Sequence, residues 1–492
     1  MKQYKYIKQL CLAVGLLIIC FAQSCSEFLE QEPGSQTSIN EQLSTKEGVL
    51  EALLGTYSSL ESTVRSEYFA IYVDLQSGNL KFSPSLSTSS LGELSAPVNL
   101  ENVYNFQDLA QDSDLESVYD DCYNIINQTN LILEYVEALT DATSEEINQI
   151  KAQALTIRAY CHFLLVQIYA QNYNYTADAS HLGVVYSTTT LTNGITYPSR
   201  KTALDTYTLL INDLNNALSF YNDSSILDGA TYSYFNYYNT KAFLARVFLS
   251  KQDWQNAYDM ANDVILNSGV ALISDENYIS EWEKTDTPVS EILLEFSVPR
   301  DSGDNVGGSM SAFYGYTSDS DYEKYVASED LLNLFETTDI RKELFLEQPL
   351  ATLIDNELED ANYYFTKKFQ DNAAFVGLRL SELYLIRAEA SIGLENLEDA
   401  KNDINVIRER ANASLLTSTD NLEELLLEER RKEFCFESHY LFDLSRNQQD
   451  IIRNDGCISQ TCNLNYPSDK FILPIPQANI DLNENLQQNA SY

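Results

Sequence analysis

The sequence predicts a mostly α-helical protein: a scaffold of tetratricopeptide-like helical hairpins with long irregular insertions and a few short strands. Apolar residues recur at three- and four-residue spacing over much of the chain, as on the buried face of a helix. In two segments one alanine follows another by twelve residues, at Ala245 and Ala257 and again at Ala388 and Ala400. Small residues there let antiparallel helices pack closely, as in tetratricopeptide repeats, and generic helical hairpins are the alternative.

The individual elements follow from these spacings in chain order. The first helix is predicted over 41–60, and the next two over 115–138 and 143–168. The helix over 143–168 begins at Thr143 and carries acidic residues in its first turn. Further helices are predicted at 201–221, 240–251, 254–267, 378–393, 396–411 and 421–446, and short strands at 289–298 and 361–370.

Two long stretches lack helical periodicity and are predicted to carry the function. Residues 76–114 gain Ser, Pro, Gly and Asn, and residues 299–325 are a second irregular stretch. Long loops on a rigid scaffold are common places for binding surfaces. With their flanks they give ligand-binding insertions of about 60–114 and 270–360 within a single domain, 41–492.

The first thirty residues have the features of a bacterial export signal. Three lysines precede an apolar run from Leu10 to Ala22, which is too short to span a membrane. Small residues then lead into Cys25, an order that resembles a lipobox with an acylated thiol. We therefore predict a signal peptide at 1–24 and a lipidated tether at 25–40. The alternative is an ordinary secretory signal.

The charge balance excludes several classes of partner. The 492 residues include 73 Asp or Glu and 31 Lys or Arg, for a net charge of −42. Nucleic acid and anionic lipid are bound by a surplus of Lys and Arg, so neither is predicted as a partner. The 33 tyrosines supply flat apolar faces with polar tips, which suit sugar or peptide surfaces.

No catalytic or metal-binding motif is present. The sequence lacks HExxH, GxSxG, a P-loop and GxGxxG, and His162 lies in an apolar helix as a predicted core residue. The oxygen-rich stretches at Asp301 and Asp319 lack the order of an EF-hand. We predict no enzyme activity, no cofactor and no metal. Cys457 and Cys462 have the spacing of a small disulfide loop in an oxidising compartment.

Five segments resemble, in order, the SusD/RagB family of surface glycan- and nutrient-binding lipoproteins. They are residues 152–169, 242–265, 378–390, 428–446 and 471–489. The resemblance spans nearly the whole chain after the signal and is weakest over 60–114 and 270–360. Charged residues beside apolar helix faces in these segments are predicted to form buried or half-buried pairs. They are Arg158, Arg246, Arg387, Glu389, Arg430, Glu433 and Asp443.

The resemblance implies a protein anchored to the outer membrane by lipid and facing the cell exterior. It would capture an oligosaccharide and deliver it to a SusC-like, TonB-dependent transporter. In the family, the two insertions commonly build the ligand site together. The candidate ligand contacts in and beside them are Tyr68, Tyr72, Asp74, Asn102, Tyr104, Asn105, Phe106, Tyr314 and Tyr316. The alternatives are peptide binding in the same fold, as in RagB-like members, a tetratricopeptide-type protein-binding adaptor, and a hydrolase.

Overall fold

The computed structural model of the protein describes residues 38–191, 194–285, 288–297 and 309–492. The predicted signal peptide, the predicted acylation site at Cys25 and most of the predicted tether lie outside these residues. Asp301 and the rest of 298–308, in the second insertion, also lie outside them.

Helices make up most of the regular structure. They are α1 (Ile39–Gln42), α2 (Lys46–Arg65), α3 (Glu67–Ser77), α4 (Glu101–Tyr104), α5 (Glu116–Tyr135), α6 (Ser144–Tyr169), α7 (Ala203–Phe220), α8 (Tyr237–Ser250), α9 (Trp254–Asn267), α10 (Tyr278–Trp282), α11 (Ser311–Tyr314), α12 (Glu329–Leu332), α13 (Leu380–Gly393), α14 (Leu397–Arg410), α15 (Leu422–Glu433), α16 (Tyr440–Arg446) and α17 (Gln477–Leu482). Within the described ranges, none of them combines the length and the apolar composition that crossing a bilayer requires.

The strands are short, apart from one hairpin. They are β1 (Leu80–Phe82), β2 (Ile292–Phe296), β3 (Tyr316–Ser318), β4 (Asp321–Tyr322), β5 (Tyr325–Ala327), β6 (Phe345–Ile354), β7 (Glu357–Thr366), β8 (Phe375–Arg379), β9 (Ile451–Ile452) and β10 (Asn463–Leu464). This content confirms the prediction of a mostly helical fold with a few strands.

The helices pack as a continuous array in which α5, α6, α7, α8, α9, α13 and α14 each contact the next. The alanines of the repeated pattern are fully buried between these helices, as their spacing predicts. Gly393, at the end of α13, lies against the indole of Trp254 at the start of α9. A Cβ at residue 393 would be 2.4 Å from Cδ2 of that ring, so only glycine allows this approach. The array is the tetratricopeptide-like scaffold that the sequence predicts.

The predicted helix over 421–446 is wrong, because the chain breaks between α15 and α16. Phe436 and Ser438 adopt positive φ angles of 67° and 60°, which no helix allows. Their backbone N–H groups both donate to the carboxylate of Asp74, at 3.0 Å each. A residue more than 350 positions away in sequence therefore stabilises the break.

One antiparallel sheet joins the two insertions. Its strand order is β1–β5–β7–β6, with β1 from the first insertion and the other strands from the second insertion and its C-terminal flank. Leu80 is opposite Ala327, and Ala327 is opposite Tyr364. The β6–β7 hairpin turns at Asp355 and Asn356, both with positive φ, and extends the predicted strand at 361–370 into two ten-residue strands.

The predicted buried ion pairs are confirmed. They include Arg158–Asp213 at 2.6 Å, Arg246–Glu382 at 2.6 Å, Arg387–Asp403 at 2.6 Å, Arg430–Asp443 at 2.9 Å, and Arg446–Glu389. A larger group, which we call the buried charge cluster, contains Arg341, Lys368, Arg379, Arg410, Glu291, Glu433 and Glu437. It connects β8 with the helices α14 and α15 and with the segment before β2.

The cluster predicts a dependence of stability on pH. Burial acts to raise the pKa of Glu433, but the cations of Arg410, Arg379 and Arg341 outweigh it and hold that pKa well below the ordinary 4.5. A lowered folded-state pKa gives stability that is complete above about pH 4.5 and is lost as the pH falls through the folded pKa. We expect urea denaturation to show a falling free energy of unfolding below pH 4.5.

The Glu433→Gln variant tests the origin of this dependence. It is expected to be less stable than the wild type at pH 7 and to lose less stability between pH 4.5 and pH 2.5. Equal losses in the two proteins over this range would show that Glu433 is not a source of the acid sensitivity.

Candidate functional site

Several predicted ligand contacts lie inside the core, which corrects the sequence-based assignment. Tyr72, Asp74 and Tyr314 have no exposed surface, and Tyr104 and Phe106 are 3% and 7% exposed. A ligand at the surface cannot reach them in this structure. Four of them take part in two packing arrangements, one around Asp74 and one around Arg453.

Asp74 stabilises the break between α15 and α16. Its carboxylate accepts hydrogen bonds from Asn79 Nδ2 at 2.7 Å and from the backbone of Phe436 and Ser438. Burial raises the pKa of Asp74 to about 6, although these hydrogen bonds act to lower it. Tyr314 lies nearby, with its ring centroid 5.5 Å from that of Phe369 and 5.3 Å from that of Phe436.

Tyr104 and Phe106 hold the guanidinium of Arg453. Its central carbon is 4.5 Å from the Tyr104 ring centroid and 4.6 Å from that of Phe106. The guanidinium also donates to the Tyr104 carbonyl at 2.8 Å and to the Cys462 carbonyl at 3.2 Å. The structure joins Cys462 to Cys457 in a disulfide within the same loop. These residues attach the first insertion to the C-terminal part of the chain.

The remaining predicted contacts are partly exposed. Tyr68, Asn102 and Asn105 are half-buried, and Asn102 donates to the Asp114 carboxylate at 3.3 Å. None of these three lines the cleft described next, whereas Tyr316 does. The structure therefore separates the first-insertion candidates from Tyr316.

An open cavity of about 440 Å³ lies beside the β3–β4 hairpin, and we call it the Tyr316 cleft. Its size is in the range of small-molecule sites, about 300–1,000 Å³. Its lining comes from α11, the β3–β4 hairpin, the ends of β6 and β7 and the segment after β7. The aromatic and polar lining residues include Tyr316, Tyr322, Phe365, Glu283, Asp321, Glu323, Lys367, Gln370 and Asp371.

The aromatic wall of the cleft is a pair of nearly parallel tyrosines. The ring centroids of Tyr316 and Tyr322 are 6.4 Å apart, with 12° between the ring planes. Phe365 packs against both rings, at 5.0 Å from Tyr316 and 5.8 Å from Tyr322. Two half-buried rings held nearly parallel on a hairpin give apolar faces with polar edges, against which a ring-shaped ligand can pack.

The polar groups of the cleft are mostly acceptors. Lys367 Nζ is already paired with Glu283 at 3.2 Å, whereas Asp321, Glu323 and Asp371 offer carboxylate oxygens. Burial raises the pKa of Glu323. The Tyr316 hydroxyl donates to Asp319, which raises the pKa of that tyrosine. Hydroxyl groups of a ligand can donate hydrogen bonds to these carboxylates.

The first insertion supports the wall of the cleft. The Tyr322 hydroxyl donates to the Pro84 carbonyl at 3.0 Å. Ser83 donates through its backbone to the Lys324 carbonyl at 2.9 Å and through its hydroxyl to the Glu323 carbonyl at 2.7 Å. Gly315 begins the hairpin where a Cβ would be 2.8 Å from the Ser311 carbonyl oxygen. The two insertions therefore meet at this cleft, although the ring pair comes from the second one alone.

Sequence reasoning missed Tyr322 and Phe365, the partners of Tyr316. A usable signal exists, because Ser318, Asp319, Ser320 and Asp321 between the two tyrosines are turn-forming residues. Read as a hairpin, they would have placed Tyr316 and Tyr322 on paired strands.

The histidine prediction is confirmed, since His162 is fully buried with both ring nitrogens satisfied. Nδ1 is 2.9 Å from the Arg158 carbonyl, and Nε2 is 3.0 Å from the backbone nitrogen of Ser187. Burial lowers its pKa to about 3, so it is neutral at pH 7. In the part of the chain that the structure describes, no three His, Cys, Asp or Glu side chains are grouped as a metal site.

The fold and the cleft define a class of protein: a tetratricopeptide-like helical scaffold whose inserted segments form a cleft with an aromatic wall. Two family models match the chain. One is described as the SusD family and matches residues 348–492. The other is described as "starch-binding associating with outer membrane" and matches residues 27–249.

Similar proteins cover nearly the whole chain. SusD-like protein P25 of Formosa agariphila is 24% identical, with 97% of each chain covered. A SusD superfamily protein of Bacteroides thetaiotaomicron has a TM-score of 0.75 at 27% identity, covering 90% of this chain and 99% of that one. A SusD-like carbohydrate binding protein of Bacteroides vulgatus shares the fold, with a TM-score of 0.72 at 20% identity and coverage of 90% and 97%. The chain belongs to the SusD/RagB family.

Proposed function

We propose that this protein captures a neutral glycan in the Tyr316 cleft at the cell surface and delivers it to a SusC-like, TonB-dependent transporter, without catalysing a reaction. The observation that carries the proposal is the parallel pair of Tyr316 and Tyr322 beside the carboxylates of Asp321, Glu323 and Asp371. A sugar ring has an apolar face for stacking and hydroxyl groups to donate, so it matches both features. The acylated Cys25 would anchor the protein to the outer membrane.

Two further observations support this function. The family model that matches residues 27–249 is described as starch-binding and as associating with the outer membrane. The net charge of −42 and the pairing of Lys367 with Glu283 disfavour an acidic ligand, so the glycan is expected to be uncharged. Co-purification of the lipidated protein with a TonB-dependent transporter from outer membranes tests the delivery step.

The cleft is tested by replacing Tyr322 with alanine. A panel of neutral plant, host and microbial polysaccharides is screened with the purified wild type by affinity electrophoresis, and the bound glycan is titrated by calorimetry. Loss of an aromatic anchor is expected to weaken binding by about 2 kcal/mol, or roughly thirtyfold in Kd. Tyr322→Phe keeps the ring and is expected to keep most of the affinity.

The matched control is Tyr197→Ala, because Tyr197 is 52% exposed and does not line the cleft. Its affinity is expected to equal that of the wild type. Equal losses of glycan affinity in the Tyr197→Ala and Tyr322→Ala variants would contradict the proposal. Binding of a peptide pool with no glycan bound would also contradict it. The second of these results would favour the peptide-binding alternative.

A further inference from the structure

A second concave site lies on the helical scaffold, and it shares no lining residue with the Tyr316 cleft. This cavity of about 660 Å³, which we call the Tyr237 cavity, lies between the 221–238 loop, the segment after α9 and the start of β2. Its lining includes Tyr221, Asp223, Thr231, Tyr232, Tyr237 and Tyr238. The apolar side chains of Val270, Ile292 and Leu293 complete its surface.

The cavity has its own aromatic platform. The rings of Tyr237 and Tyr238 meet edge to face, with centroids 5.3 Å apart and 85° between the planes. Tyr237 is 38% exposed. The Lys241 ammonium lies 4.5 Å from the centroid of its ring and helps to hold the ring in place. An ordered, accessible ring in a concave surface is a feature of ligand sites rather than of ordinary solvated surface.

The walls of the cavity are fixed by hydrogen bonds. The Asn236 side chain accepts from the backbone of Tyr238 at 3.0 Å and donates to the Thr231 carbonyl at 3.2 Å. Asn222 donates to the Glu145 carbonyl at 2.9 Å. The Tyr221 hydroxyl is bonded to Thr240 at 3.0 Å. Such bonds fix the site before a ligand binds, so that little conformational entropy is lost on binding.

The remaining polar groups define the ligand class. Lys241 donates to Asp263 at 2.5 Å, so its charge is already paired. Asp223, Thr231 and Tyr238 line the cavity, and their side chains form no hydrogen bond with other described residues. A carboxylate and two hydroxyls beside an aromatic face suit a neutral ligand rich in hydroxyl groups. An anionic ligand would be repelled by Asp223, and Lys241, which is already paired with Asp263, would not offset this repulsion.

We infer that the Tyr237 cavity is a second saccharide-binding site, which takes neutral sugar units stacked on Tyr237 and hydrogen-bonded to Asp223. This site is independent of the Tyr316 cleft. A chain with two separate sites can hold one polysaccharide at two points, which raises the apparent affinity for long chains over short ones.

The experiment compares Tyr237→Ala in two backgrounds, the wild type and Tyr322→Ala. Neutral oligosaccharides of glucan, galactan, mannan and xylan type are titrated against each purified protein by calorimetry. We expect at least one oligosaccharide to bind the Tyr322→Ala protein and to lose about tenfold or more in affinity when Tyr237→Ala is added. Tyr237→Phe is expected to retain binding.

The control is Leu266→Ala, because Leu266 is 68% exposed near the end of α9 and does not line the cavity. Unchanged thermal unfolding of the Tyr237→Ala protein shows that the fold is intact. The inference is overturned if no oligosaccharide binding depends on Tyr237, or if the cavity binds a peptide pool instead. Neither result affects the proposed function, whose readout is the dependence of binding on Tyr322.

Discussion

Replacing Arg379 with methionine is expected to lower the free energy of unfolding by about 3–5 kcal/mol, since it removes one of the cations that balance three buried carboxylates. Arg379 is 1% exposed and contacts three of them, Glu433 at 2.6 Å, Glu291 at 2.7 Å and Glu437 at 2.7 Å. Lys368 and Arg410 still pair with Glu437 and with Glu433 in the variant, but the cluster loses one positive charge and the hydrogen bonds that Arg379 donates.

Urea denaturation at pH 7, followed by circular dichroism, measures this loss. The control is Lys46→Met, which removes a more exposed pair with Glu146 at 3.1 Å and is expected to change stability by about 0–1 kcal/mol. A loss of less than about 1 kcal/mol for Arg379→Met would mean that the remaining cations of the cluster compensate for the missing charge, contrary to the effect expected for buried charges.

Replacing Arg453 with methionine is expected to destabilise the protein by about 3 kcal/mol or more, because one buried and two partly buried carbonyls lose their donor at once. Arg453 is 3% exposed and donates to the carbonyls of Tyr104, Thr461 and Cys462. Burial lowers the pKa of Arg453 to about 10, so its charge is retained at pH 7. Methionine fills part of the space between the Tyr104 and Phe106 rings but offers no donor.

Hydrogen exchange distinguishes this effect from a general loss of stability. We expect faster exchange in 101–106 and 454–464 of the Arg453→Met protein, while the helical array from α5 to α9 keeps its protection. Lys201→Met, at an exposed position, is the control. Uniform acceleration over the whole chain would show that Arg453 does not act as a local attachment of the first insertion.

Much of the scaffold could be predicted from the sequence, because helical periodicity and small residues at fixed offsets are local signals. The helix predicted over 254–267 is α9, and that predicted over 143–168 is α6. The break at 434–439 could not be predicted, since it depends on the distant carboxylate of Asp74. The buried ion pairs were predicted as a class, but their partners, such as Asp213 for Arg158, required the structure.

The candidate site was predicted less completely than the scaffold. The second insertion was identified, and Tyr316 lies in its cleft, but Tyr72, Tyr104 and Tyr314 are core residues. A tyrosine has the same sequence signature whether it packs inside or faces a ligand. Its burial depends on contacts such as those of Tyr314 with Phe369 and Phe436, which sequence spacing does not encode.

By itself, the sequence determined the helical class, the repeated hairpins, the acidic character and the positions of the two insertions. These properties depend on residues near each other in the chain or on composition alone. Only the tertiary structure decided that the insertions share one sheet and that Tyr316 pairs with Tyr322. It also placed a second set of tyrosines around a separate cavity. The physical reason is that a binding surface forms from side chains left unburied when the core is packed, and burial is a property of the whole fold.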